Sequence, residues 1–386
     1  MITRIKNGKI ILSNEIVENQ YLYFEENKIT NITDEELVYD KEIDANGQYV
    51  SPGFIDMHVH GGGGYDFMDG GEDAIINTAR FHLKHGTTSI LATTLACSTE
   101  VLVNFLGDLN SVIKEGKAPT VLGAHLEGPY FSLEQSGAQN PDYIKAPKPS
   151  EYEMIFKEGK GNIKRWSFAP ELLGGVEFCK FLTDNGIVSS VGHSNAVYDD
   201  VKKVYDEGCR SFTHLYSGMS TITRDKGFRR LGVIESAYLL DDINVEIIAD
   251  GKHLPPELLK MIVKNIGTEN ISLVTDAMRG AGMLEGESFL GRKEEAMPCV
   301  IEDGVAKLTD RSAFAGSIAT ADRLVRTMIE KADVPLKDAV KMMSENPAKF
   351  LNLESKGRLM PGNDADILLF DENINISKVI LNGKEI

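Results

Sequence analysis

Apolar, strand-like runs alternate with helical stretches through the middle of the chain, and a glycine repeatedly stands where a helix gives way to the next strand. Glycine is expected at such joints because it adopts the left-handed conformation that ends many helices. These glycines are Gly86, Gly116, Gly186, Gly208 and Gly267. The eight predicted strands are 53–59, 87–93, 119–126, 165–169, 187–192, 210–215, 244–249 and 271–275. Eight strands alternating with helices over about 290 residues predict an α/β fold, a parallel (β/α)8 TIM barrel.

A doubly wound parallel sheet would show the same alternation of strands and helices. Its nucleotide-binding version carries Gly-x-Gly-x-x-Gly after a strand, and no predicted strand here is followed by that motif. The glycine run 61–64 is not followed by Gly-Lys-Ser/Thr, so it is interpreted as a flexible turn after the first strand. The barrel is therefore favoured.

The two ends of the chain have a different rhythm, with short alternating apolar segments separated by Asn-Gly turns. Asn-Gly between apolar segments is a strong hairpin signal. Neither end has enough strands for a stable sheet of its own. Both termini are therefore predicted to form one small β-sandwich domain, from residues 1–50 and 346–386, with the barrel spanning 51–345.

Composition and charge exclude several classes of protein. The 386 residues are 42% hydrophobic, and 41 Lys and Arg against 58 Asp and Glu give a net charge of −17 that is spread along the chain. Without clustered cations no nucleic-acid partner is expected, although a small anionic substrate needs only one or two arginines. No apolar run approaches ~18 residues and none resembles a signal peptide, so the prediction is a cytoplasmic protein with no membrane segment. The four widely spaced cysteines are predicted to be reduced thiols: Cys97, Cys179, Cys209 and Cys299.

Polar side chains stand at or just after the carboxyl ends of six predicted strands, where barrels of this kind place their active sites. They are His58 and His60 on the first strand, Glu127 on the third, His193 on the fifth, His214 on the sixth, His253 on the seventh and Asp276 on the eighth. Five of the chain's eight histidines belong to this set. Of the others, His82 and His85 lie on a helix, and His125 is expected deeper in the barrel, as a core or supporting group.

A mixed set of histidines and carboxylates indicates Zn²⁺ or Fe²⁺ rather than Mg²⁺ or Ca²⁺, which prefer oxygen ligands. Glu127, His193 and His214 would leave one coordination position open for water, as in a catalytic site. Asp276 could then take a proton from that water and deliver it to a leaving group. The alternatives are that Asp276 caps the following helix or loop, and that His58 and His60 are strand histidines with separate hydrogen-bond partners.

These residues resemble the amidohydrolase superfamily and, within it, the N-acetylglucosamine-6-phosphate deacetylase family, over nearly the whole chain. The motifs are Pro52-Gly53-Phe54-Ile55-Asp56 with His58 and His60, His125-Leu126-Glu127-Gly128-Pro129, Gly192-His193-Ser194, Thr213-His214-Leu215, Ala249-Asp250-Gly251 with His253, Thr275-Asp276-Ala277, and the closing Gly357-Arg358-Leu359 with Pro361-Gly362 and Asp364-Ala365-Asp366. Leu126-Glu127-Gly128-Pro129 is the specific part, because most amidohydrolases have a carboxylated lysine where this family has glutamate.

The resemblance implies removal of the acetyl group from an amino-sugar 6-phosphate in amino-sugar catabolism. It assigns the main divalent metal, Zn or Fe, to Glu127, His193 and His214, general acid–base catalysis to Asp276, and substrate hydrogen bonding to His253. Because His58 and His60 are both present, the resemblance allows a second ion that shares Glu127, so the site would hold one or two ions.

The resemblance also implies a substrate-binding set and a homodimer. The set is Ala138, Ser217, Gly218, Arg224, His253, Phe314, Ala315 and Gly316, with Gln139 on the same loop as Ala138. Arg224 is preferred to Arg229 and Arg230 as the phosphate ligand, which in the family often reaches from a neighbouring subunit. Ser217 and Gly218 depart from the family's Asn-Ala, which leaves the sugar's identity open.

Three other functions remain as alternatives. The same deacetylation could act on N-acetylgalactosamine 6-phosphate or another N-acylated sugar. A cyclic-amide hydrolase or aminoacylase would use the same barrel but not the Leu-Glu-Gly-Pro motif. An inactive amidohydrolase-like scaffold would be expected to lack metal ligands or the eighth-strand aspartate, all of which this chain retains.

Overall fold

The computed structural model describes all 386 residues, and its centre is one parallel sheet of eight strands that follow each other in chain order. The strands are Phe54–Val59, Thr87–Thr94, Val121–Glu127, Ile163–Phe168, Val188–Val191, Ser211–Phe212, Asn244–Ile247 and Ile271–Leu273. The first and last strands meet just beyond their assigned ends, where Asp276 N–H donates to His58 O at 2.9 Å and His60 N–H to Ala277 O at 2.9 Å. The predicted (β/α)8 barrel is confirmed.

Helices cover the outside of this sheet, and each buries one apolar face against it. On the helix Thr99–Glu115, for example, Leu102, Leu106 and Leu109 are fully buried, Ser98 accepts a hydrogen bond at the N-terminus, and Gly116 ends the helix with a left-handed φ of 64°. The helices are α1 (Glu72–Leu83), α2 (Thr99–Glu115), α3 (Pro149–Glu158), α4 (Gly175–Asp184), α5 (Tyr198–Asp206), α6 (Val233–Leu239), α7 (Pro256–Ile266), α8 (Ala321–Ala332), α9 (Leu336–Met342) and α10 (Glu345–Phe350). None of them is long and apolar enough to cross a membrane.

Two further sheets pack face to face as the predicted β-sandwich, one formed by the N-terminal part alone and the other by both termini. A four-stranded sheet has the order Lys28–Thr33, Tyr21–Glu25, Ile2–Lys6 and Lys41–Asp44. A six-stranded sheet has the order Lys384–Glu385, Ile376–Leu381, Ile367–Phe370, Tyr49–Pro52, Lys9–Ile11 and Ile16–Val17. The third and fourth of these strands join the chain's two ends, with Leu369 opposite Val50.

The boundary predicted at residue 346, between the barrel and the C-terminal part of the small domain, falls inside a helix. Helix α10 runs through that position and belongs with the barrel, because Asn346 Nδ2 donates to Ile271 O at 2.6 Å. We therefore propose that the C-terminal part of the small domain begins after Phe350.

Two loops after barrel strands are longer and more structured than the sequence indicated. Between the eighth strand and α8, an antiparallel sheet is formed by Gly286–Leu290, Met297–Glu302 and Val305–Leu308. Between the sixth strand and α6, the strands Thr223–Asp225 and Phe228–Arg230 form an exposed hairpin. Both lie on the side of the barrel where the strands end.

Candidate metal centre

The carboxylate of Glu127, at the end of the third strand, is the point on which four histidines converge. Its Oε1 lies 3.2 Å from His193 Nε2, 3.0 Å from His214 Nε2 and 3.4 Å from His58 Nε2. Its Oε2 lies 3.4 Å from His60 Nε2. Two groups with metal-ligand geometry share Glu127: one with His58 and His60, which we call the first-strand pair, and one with His193 and His214, the mouth pair.

In two of these rings, the hydrogen-bond partner of Nδ1 fixes Nε2 as the atom that faces Glu127. His193 Nδ1 lies 2.8 Å from the backbone oxygen of Gln135, and His58 Nδ1 lies 3.2 Å from Glu246 Oε2. A carbonyl oxygen or an ionised carboxylate can only accept a hydrogen bond, so each Nδ1 carries the proton. When these rings are neutral, their Nε2 lone pairs point at a carboxylate oxygen, an arrangement that is repulsive unless a proton or a metal ion lies between the two atoms.

That donor set fits a divalent metal. Imidazole nitrogens and one carboxylate are typical ligands of Zn²⁺ and Fe²⁺, and here they are gathered in a buried site. Burial alone would raise the pKa of Glu127, but His58, His193 and His214 outweigh it and hold that pKa well below its ordinary range. The carboxylate is thus ionised, as a metal ligand must be.

The mouth pair and Asp276 have backbone conformations that β-strands do not use. The φ angles of His193, His214 and Asp276 are 45°, 29° and 45°. The left-handed region is strained for residues other than glycine and is enriched at functional sites. This turn at each strand end directs the side chains toward the barrel axis and Glu127.

Asp276 lies closer to the first-strand pair than to the mouth pair. Its Oδ1 is 3.0 Å from His60 Nε2 and 3.6 Å from His58 Nε2. Burial works to raise the pKa of Asp276, but His60, His58 and His214 lower it below its ordinary value. The carboxylate is therefore ionised and can accept a proton.

Two buried side chains hold these ligands in place, and neither was assigned a role at the metal centre from the sequence. Gln139 Nε2 donates to Glu127 Oε2 at 2.6 Å, while Gln139 Oε1 accepts from Ala96 N at 2.7 Å. Glu246, inside the seventh strand, contacts His58 and also forms a buried ion pair with Arg165. A charged residue between the apolar Val245 and Ile247 was the available signal for Glu246, because an unpaired charge is too costly to bury.

His125 and His253 have different surroundings from the four converging histidines. His125 is fully buried, its Nε2 lies 2.7 Å from Ser167 Oγ, and its ring stands edge-on to His58 at 4.6 Å. His253 Nδ1 lies 2.8 Å from Asp250 Oδ2, and its ring packs 4.7 Å from that of Phe314. Asp250 thus orients His253 with Nε2 free for another partner.

A cavity of about 200 Å³ opens over this centre. Its lining includes most of the predicted site residues: His60, Glu127, Ala138, His193, His214, Ser217, Gly218, His253, Asp276, Phe314 and Gly316. His58 lies beneath the cavity, and Ala315 is buried behind its wall, with its N–H donating to Ala306 O. Arg224 is on the exposed hairpin, away from the cavity. No lysine or arginine lines the cavity.

Comparison with known proteins gives a consistent family. The model of the amidohydrolase family matches residues 49–386. N-acetylglucosamine-6-phosphate deacetylase of Lysinibacillus sphaericus is 35% identical over 344 residues, which are 89% of this chain and 87% of that protein. N-acetylgalactosamine-6-phosphate deacetylase of Escherichia coli O157:H7 is 29% identical over 88% of each chain.

A solved structure shares the entire fold. It is that of a mutant N-acetyl-D-glucosamine-6-phosphate deacetylase of Mycobacterium smegmatis in complex with N-acetyl-D-glucosamine 6-phosphate. The two folds superimpose with a TM-score of 0.90 at 28% identity, over 100% of this chain and 98% of the other. The likeness therefore includes the small domain as well as the barrel.

Proposed function

This chain belongs to the amidohydrolase family, and from that premise we propose that it hydrolyses N-acetyl-D-glucosamine 6-phosphate to glucosamine 6-phosphate and acetate, a step of amino-sugar catabolism. The relatives named for this reaction support the substrate. The observation that carries the chemistry is the convergence of four histidine Nε2 atoms on the Glu127 carboxylate, with Asp276 beside them at the floor of a cavity.

The proposed cofactor is Zn²⁺ or Fe²⁺, in one or two ions per subunit. Glu127 with the mouth pair would hold the main ion, and Glu127 with the first-strand pair would hold the second. Such an ion supplies Lewis acidity, which polarises a carbonyl and lowers the pKa of water toward neutrality.

Asp276 is proposed as the general base and acid. Its ionised carboxylate lies at the cavity floor, where it can accept a proton at Oδ1 from the attacking water. The same oxygen can then deliver that proton to the departing amine nitrogen, so that acetate and a free amine result. A carboxamide at this position would keep the shape but could not carry the proton.

His253 is proposed to bind the substrate's acetyl or sugar oxygens. Because Nδ1 is engaged by Asp250, the side of the ring that carries Nε2 is available to the cavity. Phe314 packs on the same ring and limits its rotation. Ala138, Ser217, Gly218 and Gly316 would complete the sugar pocket, with Ala315 acting through the backbone.

The phosphate requires a cation, and none lines the cavity within one subunit. We propose a homodimer in which Arg224 of the exposed hairpin reaches the neighbouring subunit's cavity. Arg230 lies 3.3 Å from Asp225, whereas Arg224 has no ion-pair partner. The exposed Phe228, with 76% of its surface accessible, gives the same hairpin an apolar contact to bury at such an interface.

A second candidate substrate is N-acetylgalactosamine 6-phosphate. It is favoured by Ser217 and Gly218, which replace the family's Asn-Ala at the cavity wall, and by the relative that bears this activity. The two sugars differ only in the orientation of one hydroxyl, so a single wall residue could decide between them.

Acetate release from a panel of N-acetylated hexosamines, each with and without a 6-phosphate, tests the proposal. The expected result is metal-dependent release from N-acetylglucosamine 6-phosphate, with much slower turnover of the unphosphorylated sugar. Faster release from the galactose epimer would select the second candidate. No release from any metal-loaded sample would favour the inactive scaffold. We also propose a cytoplasmic location, which the four buried, unpaired cysteines support.

A further inference from the structure

The carboxylate of Glu246 lies beneath both halves of the metal centre, although the residue is on a strand interior and not at a strand end. It belongs to the seventh strand, Asn244–Ile247, and is fully buried. Its Oε2 lies 3.2 Å from His58 Nδ1 and accepts a hydrogen bond from the backbone N–H of His214 at 3.1 Å. One oxygen atom therefore touches a member of the first-strand pair and the backbone of the mouth pair.

The other oxygen of Glu246 has a separate partner. Oε1 pairs with Nη1 of Arg165, which is also fully buried and whose Nη2 donates to Ser190 Oγ at 2.7 Å and Thr213 Oγ1 at 3.2 Å. A carboxylate that served only as the counter-ion of Arg165 would favour the bidentate pairing that uses both oxygens. Here Oε1 of Glu246 contacts arginine, and Oε2 contacts the two metal-ligand residues.

We propose that Glu246, held by Arg165, is a positioning residue that fixes the tautomer and orientation of His58 for metal binding. With Nδ1–H donated to Glu246, the lone pair of His58 Nε2 is directed at Glu127, 3.4 Å away. Without Glu246, the ring could carry its proton on Nε2 instead and would lose a ligand atom. The inference rests on the proposed function, because it assumes that the centre binds a divalent cation.

The edge-on contact with His125 restrains the plane of the His58 ring but cannot select its tautomer. His125 Nε2 forms a hydrogen bond with Ser167, and His125 Nδ1 has no hydrogen-bond partner. Among the groups around His58, Glu246 is thus the acceptor that faces Nδ1. The dependence of the first-strand pair on Glu246 follows from this arrangement.

The test uses Zn²⁺ as the probe and measures its binding to the metal-stripped full-length protein by calorimetry, without substrate. Glu246→Gln keeps the shape but weakens the acceptor, and it leaves Arg165 buried without a counter-ion. The double variant Glu246→Gln/Arg165→Met removes that stranded charge and keeps the protein testable if the single variant folds poorly. Zinc affinity at the group containing His58 should fall about 10- to 100-fold in both variants.

Asp366→Asn is the matched control. Asp366 is also a buried carboxylate with one cation partner, Lys356 at 2.6 Å, and one backbone donor, Asn382 N at 2.8 Å, but it lies in the small domain. It should lower thermal stability while leaving zinc affinity unchanged. A purely structural role for Glu246 predicts the same behaviour for its variants.

The hydrogen bond from His58 Nδ1 to Glu246 supplies the second measurement, by ¹H and ¹⁵N chemical shifts of the zinc-loaded protein. The expected result is a strongly hydrogen-bonded Nδ1–H in the wild type and a weaker hydrogen bond in the variants. Wild-type zinc affinity in the folded double variant, or an unchanged Nδ1–H signal of His58, would overturn the assignment. A wild-type protein that binds zinc but releases no acetate would refute the proposed function and leave this inference intact, whereas one that binds no zinc would refute both.

Discussion

The two histidine pairs around Glu127 are alike in chemistry but are held in place by different parts of the molecule. In the first-strand pair, His58 lies on a regular strand and His60 just after its end, and His58 is anchored from below by the buried carboxylate of Glu246. The mouth pair sits on left-handed strand ends, and His193 is anchored by the backbone oxygen of Gln135, in a loop. The side chain of His58 is therefore held from the barrel interior and that of His193 by a surface loop, while Glu246 reaches the mouth pair only through the backbone N–H of His214.

This difference has a functional consequence. The loop that holds His193 continues through Gly137, Ala138 and Gln139, which line the cavity where the substrate is proposed to bind. Any movement of the loop on substrate binding would reach the mouth pair directly and, through Gln139, the carboxylate of Glu127. The loop reaches the first-strand pair only indirectly, through Gln139 and the Oε2 atom of Glu127, which lies 3.4 Å from His60 Nε2. We therefore expect the geometry of this pair to respond less to the substrate than that of the mouth pair.

Removing the residue that both halves share should have the largest effect. Glu127→Gln lacks the charge that the two groups need, so both are expected to lose metal, and kcat/KM should fall by on the order of 10⁴-fold or more. Metal content by mass spectrometry and acetate release measure the two losses. If the variant kept one bound ion and substantial activity, the two halves would not depend on a common ligand.

Asp276→Asn is expected to separate chemistry from metal binding. The variant cannot accept a proton, so kcat should fall by about 10²- to 10⁴-fold with little change in KM. The mouth pair should retain its ion, because Asp276 Oδ1 lies beside His60 and not beside His193. A near-normal kcat would remove Asp276 from its proposed role, and loss of all metal would make it a ligand instead.

The direct comparison of the halves is His193→Asn against His58→Asn. We expect His193→Asn to abolish binding of the main ion and nearly all activity. His58→Asn should lose only the second ion and reduce kcat/KM by about 10- to 100-fold, a size typical of residues that support a metal centre. The two variants serve as controls for each other. Equal losses of metal and activity would show that the halves act as one site.

Much of this arrangement could be predicted from the sequence, because the barrel strands are apolar runs that alternate with helices. The reactive residues stand at the ends of those strands. The sixth strand shows the limit: residues 210–215 were predicted, but only Ser211–Phe212 is regular strand, since His214 turns into the left-handed region. Tertiary contacts impose that conformation on a residue whose own preference opposes it. The sheet between Gly286 and Leu308 was missed although Asp303-Gly304 is a hairpin signal.

The supporting residues show the same limit. Glu246 and Arg165 could have been noticed as charges within buried strands, yet nothing in the sequence tells which buried charge pairs with which. Gln139 is still less visible, because a glutamine in a loop is ordinary and its bond to Glu127 exists only in the folded chain. The metal ligands can be predicted from sequence motifs and strand order, whereas the groups that orient them are visible only once the chain is packed.

A smaller effect is expected from the exposed hairpin, which touches neither histidine pair. Arg224→Ala should raise KM for the phosphorylated substrate about 10- to 100-fold, since a hydrogen bond to a charged group contributes ~1.5–3 kcal/mol. KM for the unphosphorylated sugar should not change. Arg229→Ala is the control, because Arg229 lies directly opposite Arg224 in the same hairpin.

Mixing Arg224→Ala subunits with Asp276→Asn subunits tests whether the arginine acts across a dimer. A mixed dimer would combine an intact Asp276 in one subunit with an intact Arg224 from the other, so activity should partly recover. A KM in the mixture that stays as high as that of Arg224→Ala alone would confine the phosphate contact to a single subunit. Equal KM effects of Arg224→Ala and Arg229→Ala would instead indicate a general charge effect.

The smallest effect is expected at the wall of the mouth half, where Ser217 and Gly218 adjoin His193 and His214. Ser217 is half-buried at the cavity, and Ser217→Asn should shift the preference between the two C4-epimeric substrates about 10-fold, with metal content unchanged. Gly218 has no such freedom: its φ is 57°, and an added Cβ would lie 2.8 Å from His193 Nδ1.

Gly218→Ala is therefore the contrasting variant. It should displace the His193 ring from the oxygen of Gln135 and weaken metal binding at the mouth pair, while the first-strand pair keeps its ion. Acetate release from both epimers and metal content together distinguish the two outcomes. A different result would contradict this account. If Gly218→Ala bound metal normally and Ser217→Asn did not, the contact between His193 and the oxygen of Gln135 would not be needed for metal binding. The inference that the loop anchors the mouth pair would then be wrong.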